Sequence, residues 1–146
     1  MIEKYIKAST LLGIVTQLFS TRMNQQLGAH DLNTTQFALL NHLMRNKLRN
    51  EGISDLASAL EVNQPAVTKI VQKLTKLELL QVTKDPNDSR KKYVSITPAG
   101  EQKVQTAMMA LGPDVVSWFE GWQPEELDRF IGDLGKLAGW LDSNRL

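Results

Sequence analysis

Apolar side chains recur at steps of three and four residues between Leu11 and Leu27, which is the spacing of one face of an α-helix. This spacing predicts a long amphipathic first helix that ends near Gly28. Its apolar face consists of Leu11, Leu12, Val15, Leu18, Phe19, Met23 and Leu27. Such a helix must bury one side against other parts of the protein.

Two shorter helices are predicted next. The hydroxyl group of Thr34 or Thr35 can cap a second helix, which should end in the polar stretch 45–52. Ser54 can cap a short third helix, with Ile53 just outside it as a hydrophobic staple. The apolar residues assigned to these two helices are Phe37, Leu40, Leu43, Met44, Leu56, Ala57 and Leu60.

The fourth helix has the best-defined start. Asn63 can cap it, and Pro65 lies in the first turn, where a missing N–H group is harmless. Its inward-facing residues are Val67, Ile70, Val71, Leu74 and Leu77. Its outward-facing residues are Gln64, Ala66, Thr68, Lys69, Gln72, Lys73 and Lys76.

A hairpin of two short strands is predicted after this helix, over Leu80–Lys84 and Lys91–Ile96, with a turn at Pro86–Asp88. A short helix, a tight turn, a second helix and then a basic hairpin form the layout of a winged helix-turn-helix that reads DNA. The fourth helix would be the recognition helix and the hairpin would be the wing.

Two helices are predicted for the remainder of the chain. Thr97 can cap a long helix that begins at Pro98, and Gly112 and Pro113 should kink or locally break it. A last helix should begin at about Pro124. The apolar residues that it should bury are Leu127, Phe130, Ile131, Leu134, Leu137 and Leu141.

The recognition helix carries side chains suited to base reading. A helix fits the major groove, which is about 12 Å wide, and residues near its N-terminus reach base edges. Gln64 can form two hydrogen bonds with adenine, and the methyl groups of Ala66 and Thr68 can pack on thymine. The alternative is a solvated helix face, which the paired helix and the basic hairpin disfavour. The DNA contacts predicted on this helix and its cap are Asn63, Gln64, Ala66, Thr68, Lys69 and Lys73.

The hairpin supplies the second group of predicted DNA contacts. Arg90 has a planar guanidinium group on a narrow projection, which fits a minor groove narrowed by A·T base pairs. Asp88 would repel phosphate, so we expect it to stabilise the wing by accepting backbone N–H groups or by pairing with Arg90. The alternative for this pair is a surface salt bridge of little energetic value. The residues predicted to contact phosphates are Lys84, Lys91 and Lys92.

Charge divides along the chain in a way that the overall net charge of +1 conceals. Residues 63–93 hold seven basic and three acidic side chains, a net charge of +4. From residue 101 onward, four basic side chains stand against eight acidic ones, a net charge of −4. A basic middle and an acidic end indicate a protein that meets a polyanion on one side only.

The sequence resembles the multiple-antibiotic-resistance regulator (MarR) family of transcription factors. The resemblance rests on three motifs: Ser-Asp-Leu-Ala through Leu-Glu-Val-Asn-Gln-Pro-Ala-Val-Thr, Asp-Pro-Asn-Asp-Ser-Arg-Lys, and Val-Ser-Ile-Thr-Pro-Ala-Gly. It implies a mainly α-helical fold with a small β-wing. It also implies a homodimer whose N- and C-terminal helices interlock, a pseudo-palindromic operator in double-stranded DNA, and a small-molecule effector. Carried onto this chain, it makes Gln64 to about Leu77 the recognition helix.

The resulting hypothesis is one winged-helix domain over residues 1–146. Residues of about 34–97 would form the DNA-binding lobe, and those of about 1–30 and 98–146 would form the dimerisation helices. We expect a ligand-responsive repressor in the cytoplasm, since no apolar run approaches the ~20 residues of a membrane span and no signal peptide is evident. Trp118, Trp122 and Trp140 fit a core or an interface better than a ligand cavity.

Other classes of protein fit the sequence less well. A winged-helix module that binds another protein would have an apolar, uncharged recognition helix, which this chain does not have. An enzyme is disfavoured because there is no glycine-rich phosphate loop and no catalytic His–carboxylate spacing. No cofactor is expected. The chain has no cysteine, and His30 and His42 lack the nearby helical partner of a metal pair, so no metal site is expected.

Overall fold

The computed structural model describes every residue from Met1 to Leu146. Six helices and one two-stranded antiparallel sheet confirm the predicted mainly α-helical fold with a small β hairpin. In chain order the elements are α1 (Ile2–Gly28), α2 (Thr34–Arg45), α3 (Ile53–Leu60), α4 (Gln64–Lys76), β1 (Leu80–Lys84), β2 (Lys92–Ile96), α5 (Pro98–Ser117) and α6 (Pro124–Ser143). None of the six helices combines the length and the hydropathy that a membrane span requires.

The chain divides into two compact units, Met1–Met109 and Ala110–Leu146, and the boundary falls inside α5. The first unit contains α1 to α4, the hairpin and more than half of α5. The second unit contains the end of α5 and all of α6. The predicted assignment of a DNA-binding lobe flanked by dimerisation helices stays a prediction.

Helix α2 starts with a reciprocal pair of hydrogen bonds. The Asn33 side-chain oxygen accepts the backbone N–H of Gln36 at 2.8 Å, and the Gln36 side chain accepts the N–H of Asn33 at 3.0 Å. This capping box satisfies two N–H groups that have no partner within the helix. The predicted cap at Thr34 or Thr35 is therefore wrong, because both residues already lie in the first helical turn.

Helix α3 begins two residues earlier than its predicted cap allows. The Asp55 carboxylate reaches back and accepts the backbone N–H of Gly52 at 2.9 Å, so Ile53 is the first helical residue. Ser54 is consequently inside the helix, and its predicted role as a cap is wrong. Ile53 is not an outside staple for the same reason.

The turn between α3 and α4 has the geometry that a helix-turn-helix needs. Glu61 adopts a left-handed backbone conformation with a φ of 56°, and the N–H of Val62 donates to the Ala57 carbonyl oxygen at 3.0 Å. The Asn63 side chain then accepts the backbone N–H of Ala66 at 2.9 Å. The predicted cap of α4 is confirmed.

The core of the first unit lies where α2, α3, α4 and the hairpin pack together. Its largest fully buried side chains are Leu27, Leu39, Leu40, Leu56, Val67, Leu74, Leu80 and Val104. Phe37 and Met44, predicted to face the core from α2, are only half-buried. Leu77 was predicted to face inward from α4 but is 53% exposed, because the helix ends one residue before it.

The C-terminal helices depart from two predictions. Helix α5 continues through Gly112 and Pro113 to Ser117, so the local break, which was one of the two predicted outcomes beside a kink, is absent. The proline removes only one backbone donor, and the helix ends a single turn later. Helix α6 begins at Pro124 as predicted but has no buried residue in the single chain. The prediction that α6 buries its apolar face is therefore wrong for one chain alone: Leu127 and Phe130 are only half-buried, the latter against the rings of Phe119 and Trp122, and the other apolar residues of α6 are exposed.

The start of α5 is fastened to the base of the hairpin through Thr97. Its hydroxyl group donates to the Glu78 carbonyl oxygen at 2.7 Å and accepts the Gly100 backbone N–H at 3.0 Å. Its own N–H donates to the Leu79 carbonyl oxygen at 3.1 Å. A Cβ atom at Gly100 would overlap that same carbonyl oxygen. The predicted Thr97 cap is confirmed, and the glycine three residues later is required by this close approach.

We expect Gly100→Ala to lower the free energy of unfolding by about 1 to 3 kcal/mol, because the backbone must shift to admit the methyl group. Gly28→Ala is the matched control, since nothing lies within 4 Å of a Cβ atom at that position. The control should be neutral or slightly stabilising, as alanine favours a helix over glycine by about 1 kcal/mol. Urea unfolding of both variants measures the difference, and equal stabilities would contradict this packing.

Candidate nucleic-acid interface

Helix α4 is divided lengthwise into a buried and an exposed side. Val67, Val71 and Leu74 are at most 5% exposed and pack into the first unit. The predicted DNA contacts on the opposite side are Gln64, Ala66, Thr68, Lys69 and Lys73. Ala66 and Thr68 are half-buried and the other three are exposed. The structure therefore leaves this polar side accessible along the whole helix.

Asn63 is also exposed, but its role in capping limits what else it can bind. Its side-chain oxygen is occupied by the Ala66 N–H. The amide NH₂ group remains as a donor that can reach an external acceptor such as a phosphate or base edge. The predicted DNA contact of Asn63 is thus compatible with its structural role.

The hairpin over residues 80–96, which we call the wing, carries the second set of predicted contacts. Thr83 pairs with Tyr93 and Lys84 with Lys92 across the two strands. Strand β2 begins at Lys92, one residue later than predicted, because the Lys91 N–H donates to the Asp88 carbonyl oxygen at 3.0 Å within the turn. The exposed basic side chains of the wing are Lys84, Arg90, Lys91 and Lys92.

Asp88 and Arg90 interact in both of the ways considered from the sequence. Asp88 Oδ1 accepts the backbone N–H of Arg90 at 3.0 Å and its Nε–H group at 3.2 Å. The arginine side chain is nevertheless 90% exposed. A pair this exposed contributes little to stability, about 0 to 1 kcal/mol. Its effect is to orient the guanidinium group on the wing.

Asp85 was not predicted as a site residue, yet its carboxylate joins both ends of the wing turn. Oδ1 accepts the backbone N–H groups of Asn87 at 2.7 Å and Asp88 at 3.1 Å. Oδ2 accepts the hydroxyl group of Tyr93, on β2, at 2.6 Å. The Asp-Pro-Asn sequence could have indicated the bonds within the turn. The Tyr93 contact crosses eight residues and requires the folded hairpin.

The hydrogen bond between Tyr93 and Asp85 shifts the pKa of both groups away from its ordinary value. The Tyr93 hydroxyl, together with the backbone N–H of Asn87, holds the pKa of Asp85 below 3.8. The same bond, aided by partial burial, raises the pKa of Tyr93 above 10.0. The contribution of Asp85 to the stability of the folded state is lost as the pH falls through its lowered pKa. The contribution of Tyr93 is lost as the pH rises through its raised pKa. The bond is therefore intact across the neutral range.

A polar link also connects α2 to the wing. His42 Nε2 lies 2.8 Å from Glu51 Oε2, and the Glu51 carboxylate is largely buried. The Glu51 carbonyl oxygen also accepts the Val94 N–H on β2 at 2.8 Å. The partner of His42 was not foreseen because it lies nine residues away, beyond helical spacing. No group of three or more His, Cys, Asp or Glu side chains is arranged to hold a metal ion.

The sequence has relatives among known regulators. Residues 32–100 match a family model described as a winged helix DNA-binding domain. The chain is 30% identical over 100 residues to the uncharacterized HTH-type transcriptional regulator YdcH of Bacillus subtilis, covering 67% of this chain and 68% of YdcH. It is 41% identical over 66 residues to the transcriptional regulator AdcR of Streptococcus pyogenes, covering 45% of this chain and only 43% of AdcR.

Solved structures extend the likeness over almost the whole chain. The MarR family transcription regulator SP03579 superposes with a TM-score of 0.82 at 15% identity, covering 97% of this chain and 93% of that one. BpsR of Bordetella bronchiseptica gives a TM-score of 0.77 at 26% identity, covering 90% and 98%. The chain belongs to the MarR family. This MarR-family protein is a DNA-binding transcriptional regulator, in agreement with the prediction from its motifs.

The wing of this MarR-family protein offers a titration test of its internal hydrogen bond. The chain has two tyrosines, so Tyr5→Phe leaves Tyr93 as the single phenol. In that background we expect the phenolate absorbance of Tyr93 to develop with a midpoint above 10.0. Adding Asp85→Ala should lower the midpoint, because both the hydrogen bond and the nearby negative charge are removed. A midpoint that does not change between the two variants would contradict the geometry.

Proposed function

We propose that this protein is a homodimeric repressor that binds a pseudo-palindromic operator and is released from it by a small molecule. The observation that carries the DNA-binding part is the division of α4 into a buried apolar side and an accessible polar side. An exposed basic wing follows it in the same unit. This combination fits a helix in the major groove and a wing beside it.

Within α4 we assign two kinds of contact. Gln64 and Lys69 lie in the first turn and a half, where a recognition helix reaches base edges. Lys73 lies further along, where the helix leaves the groove and passes the DNA backbone. Asn63 would donate from its free amide group, and the methyl groups of Ala66 and Thr68 would pack on bases.

The wing would supply the contacts that flank the major groove. Arg90 projects from the turn with its guanidinium group almost fully exposed, and Asp88 fixes its orientation. A preoriented guanidinium group suits a narrow minor groove, where the negative potential is strongest. Lys84, Lys91 and Lys92 would bind phosphates and add affinity that depends on salt concentration.

We expect Arg90→Ala to weaken binding to an operator, selected by the parent protein from a random DNA library, by about 1 to 3 kcal/mol. The thermal midpoint should change little, because the side chain is 90% exposed. Fluorescence anisotropy at physiological salt measures the affinity. Arg145→Ala, at an exposed arginine beyond α6, is the control and should bind as the parent does. Parental affinity of the Arg90 variant would exclude the minor-groove contact.

The dimer part of the proposal rests on apolar side chains that one chain leaves in solvent. On α1 the exposed residues include Ile2, Tyr5, Ile6, Leu11, Ile14, Val15, Leu18 and Phe19. On α6 they include Ile131, Leu134, Leu137, Trp140 and Leu141. Monomeric proteins rarely expose contiguous apolar surface on this scale. A second copy of the chain would cover these faces and hold two recognition helices about 34 to 36 Å apart, one turn of DNA.

We expect sedimentation equilibrium of the intact protein to show a dimer at micromolar concentration. Leu134→Glu should weaken or abolish this dimer, because it places a charge in the buried face. Ser143→Glu is the matched control: it adds the same charge to α6, nine residues on, where the helical period points to the opposite side. A folded parental monomer, or a Leu134→Glu variant that dimerises as well as the control, would refute the interface.

Ligand release is proposed at the level of chemical class. The DNA binding of BpsR, a structural relative, is regulated by 6-hydroxynicotinic acid. For this chain we propose a small organic effector that lowers operator affinity. A regulator that acts on chromosomal DNA in this way would work in the cytoplasm.

A further inference from the structure

We propose that Tyr93 and Asp85 are positioning residues that hold the wing turn in its DNA-binding shape before DNA arrives. The proposal rests on the DNA contact of Arg90 in the proposed function. Neither residue needs to touch DNA in this role. They would act through the chain of hydrogen bonds that ends at the Arg90 guanidinium group.

That chain of bonds starts on β2 and ends at the projecting tip. The half-buried Tyr93 donates its hydroxyl group to Asp85 Oδ2 at 2.6 Å. Asp85 Oδ1 accepts the Asp88 N–H at 3.1 Å, and the Asp88 side chain in turn accepts the Arg90 N–H at 3.0 Å and its Nε–H at 3.2 Å. Two carboxylates therefore act in series, the first shaping the turn and the second aiming the arginine.

The turn has little else to hold it. Residues 86, 87, 89 and 90 are exposed, so apolar burial does not fix their conformation. Two backbone bonds close the turn, from the Asp85 N–H to the Lys91 carbonyl oxygen at 2.9 Å and from the Lys91 N–H to Asp88. A loop that is mobile in the free protein must lose conformational entropy when it binds, and that loss subtracts from affinity. The Tyr93 hydroxyl reduces this loss by tying the turn to a rigid strand.

A direct contact between the Tyr93 hydroxyl and a phosphate is the rival explanation for any effect of this residue. The two roles differ in how they combine with Arg90. If Tyr93 acts by positioning, its removal has no further effect once the arginine is gone. If the Tyr93 hydroxyl binds phosphate itself, the losses of binding free energy caused by the two substitutions add.

The experiment is a double-mutant cycle of Tyr93→Phe and Arg90→Ala, read as affinity for the selected operator. Tyr93→Phe removes one oxygen atom and should weaken binding about 3- to 10-fold, the effect of one hydrogen bond. Asp85→Ala should weaken it at least as much, since it removes three bonds. In the Arg90→Ala background, Tyr93→Phe should change the affinity by less than about twofold. Arg145→Ala, at an exposed arginine beyond α6, is again the control for a substitution outside the wing.

Hydrogen exchange of the free protein gives an independent measure. Tyr93→Phe should speed exchange of the Asp88 and Arg90 amides while leaving the thermal midpoint of the protein unchanged. Additive losses in the cycle, unchanged amide exchange, or a fall in affinity that follows a fall in thermal midpoint would each overturn the positioning role. Parental affinity of Tyr93→Phe beside a weakened Arg90→Ala would overturn this inference alone. Parental affinity of Arg90→Ala would overturn both this inference and the wing contact beneath it.

Discussion

The burial of one side of α4 is the constraint on which the DNA-binding unit depends. Val67, Val71 and Leu74 are almost completely buried, and α4 packs on α3 and β1. Each such side chain contributes about 1.5 to 3 kcal/mol, more than any exposed polar pair in the unit. This burial fixes the rotation of α4 about its own axis. Because the helical period is fixed, the same rotation points Gln64 and Lys69 to solvent. The surface proposed to face DNA is thus a consequence of core packing.

The wing is held by two kinds of force along its length. At its base, Leu80 and Val94 are buried, and Glu51 adds a backbone bond beside β2. At its tip there is no apolar core, and hydrogen bonds to the two carboxylates of Asp85 and Asp88 take over. Burial makes the base rigid whatever is bound to it, whereas the polar tip keeps its shape only while each acceptor has its donors. For this reason the shape of the tip is changed more easily than that of the base by the loss of a single hydrogen-bonding atom.

In the proposed dimer, the apolar faces of α1 and α6 would link stability to function. A single chain leaves Phe19 and Leu18 of α1 and Leu134 of α6 in contact with water, which is unfavourable for each of them. A twofold partner would remove that surface from water and at the same time set the distance between two recognition helices. In this arrangement a molecule that alters the packing of these helices would also alter the spacing of the DNA-binding units. Operator release would then need no contact between effector and DNA.

The sequence by itself determined the features that arise between residues a few positions apart. Helical periodicity gave α1 and α4, and Asn63 was identified as a cap because its partner is three residues away. The Asn33 cap was equally local but was missed, because the neighbouring threonine hydroxyls were favoured over the asparagine. Only the tertiary structure decided that Tyr93 contacts Asp85 and that no residue of α6 is fully buried in one chain. Such contacts depend on the path by which the chain returns to itself, and local conformational preference does not specify that path.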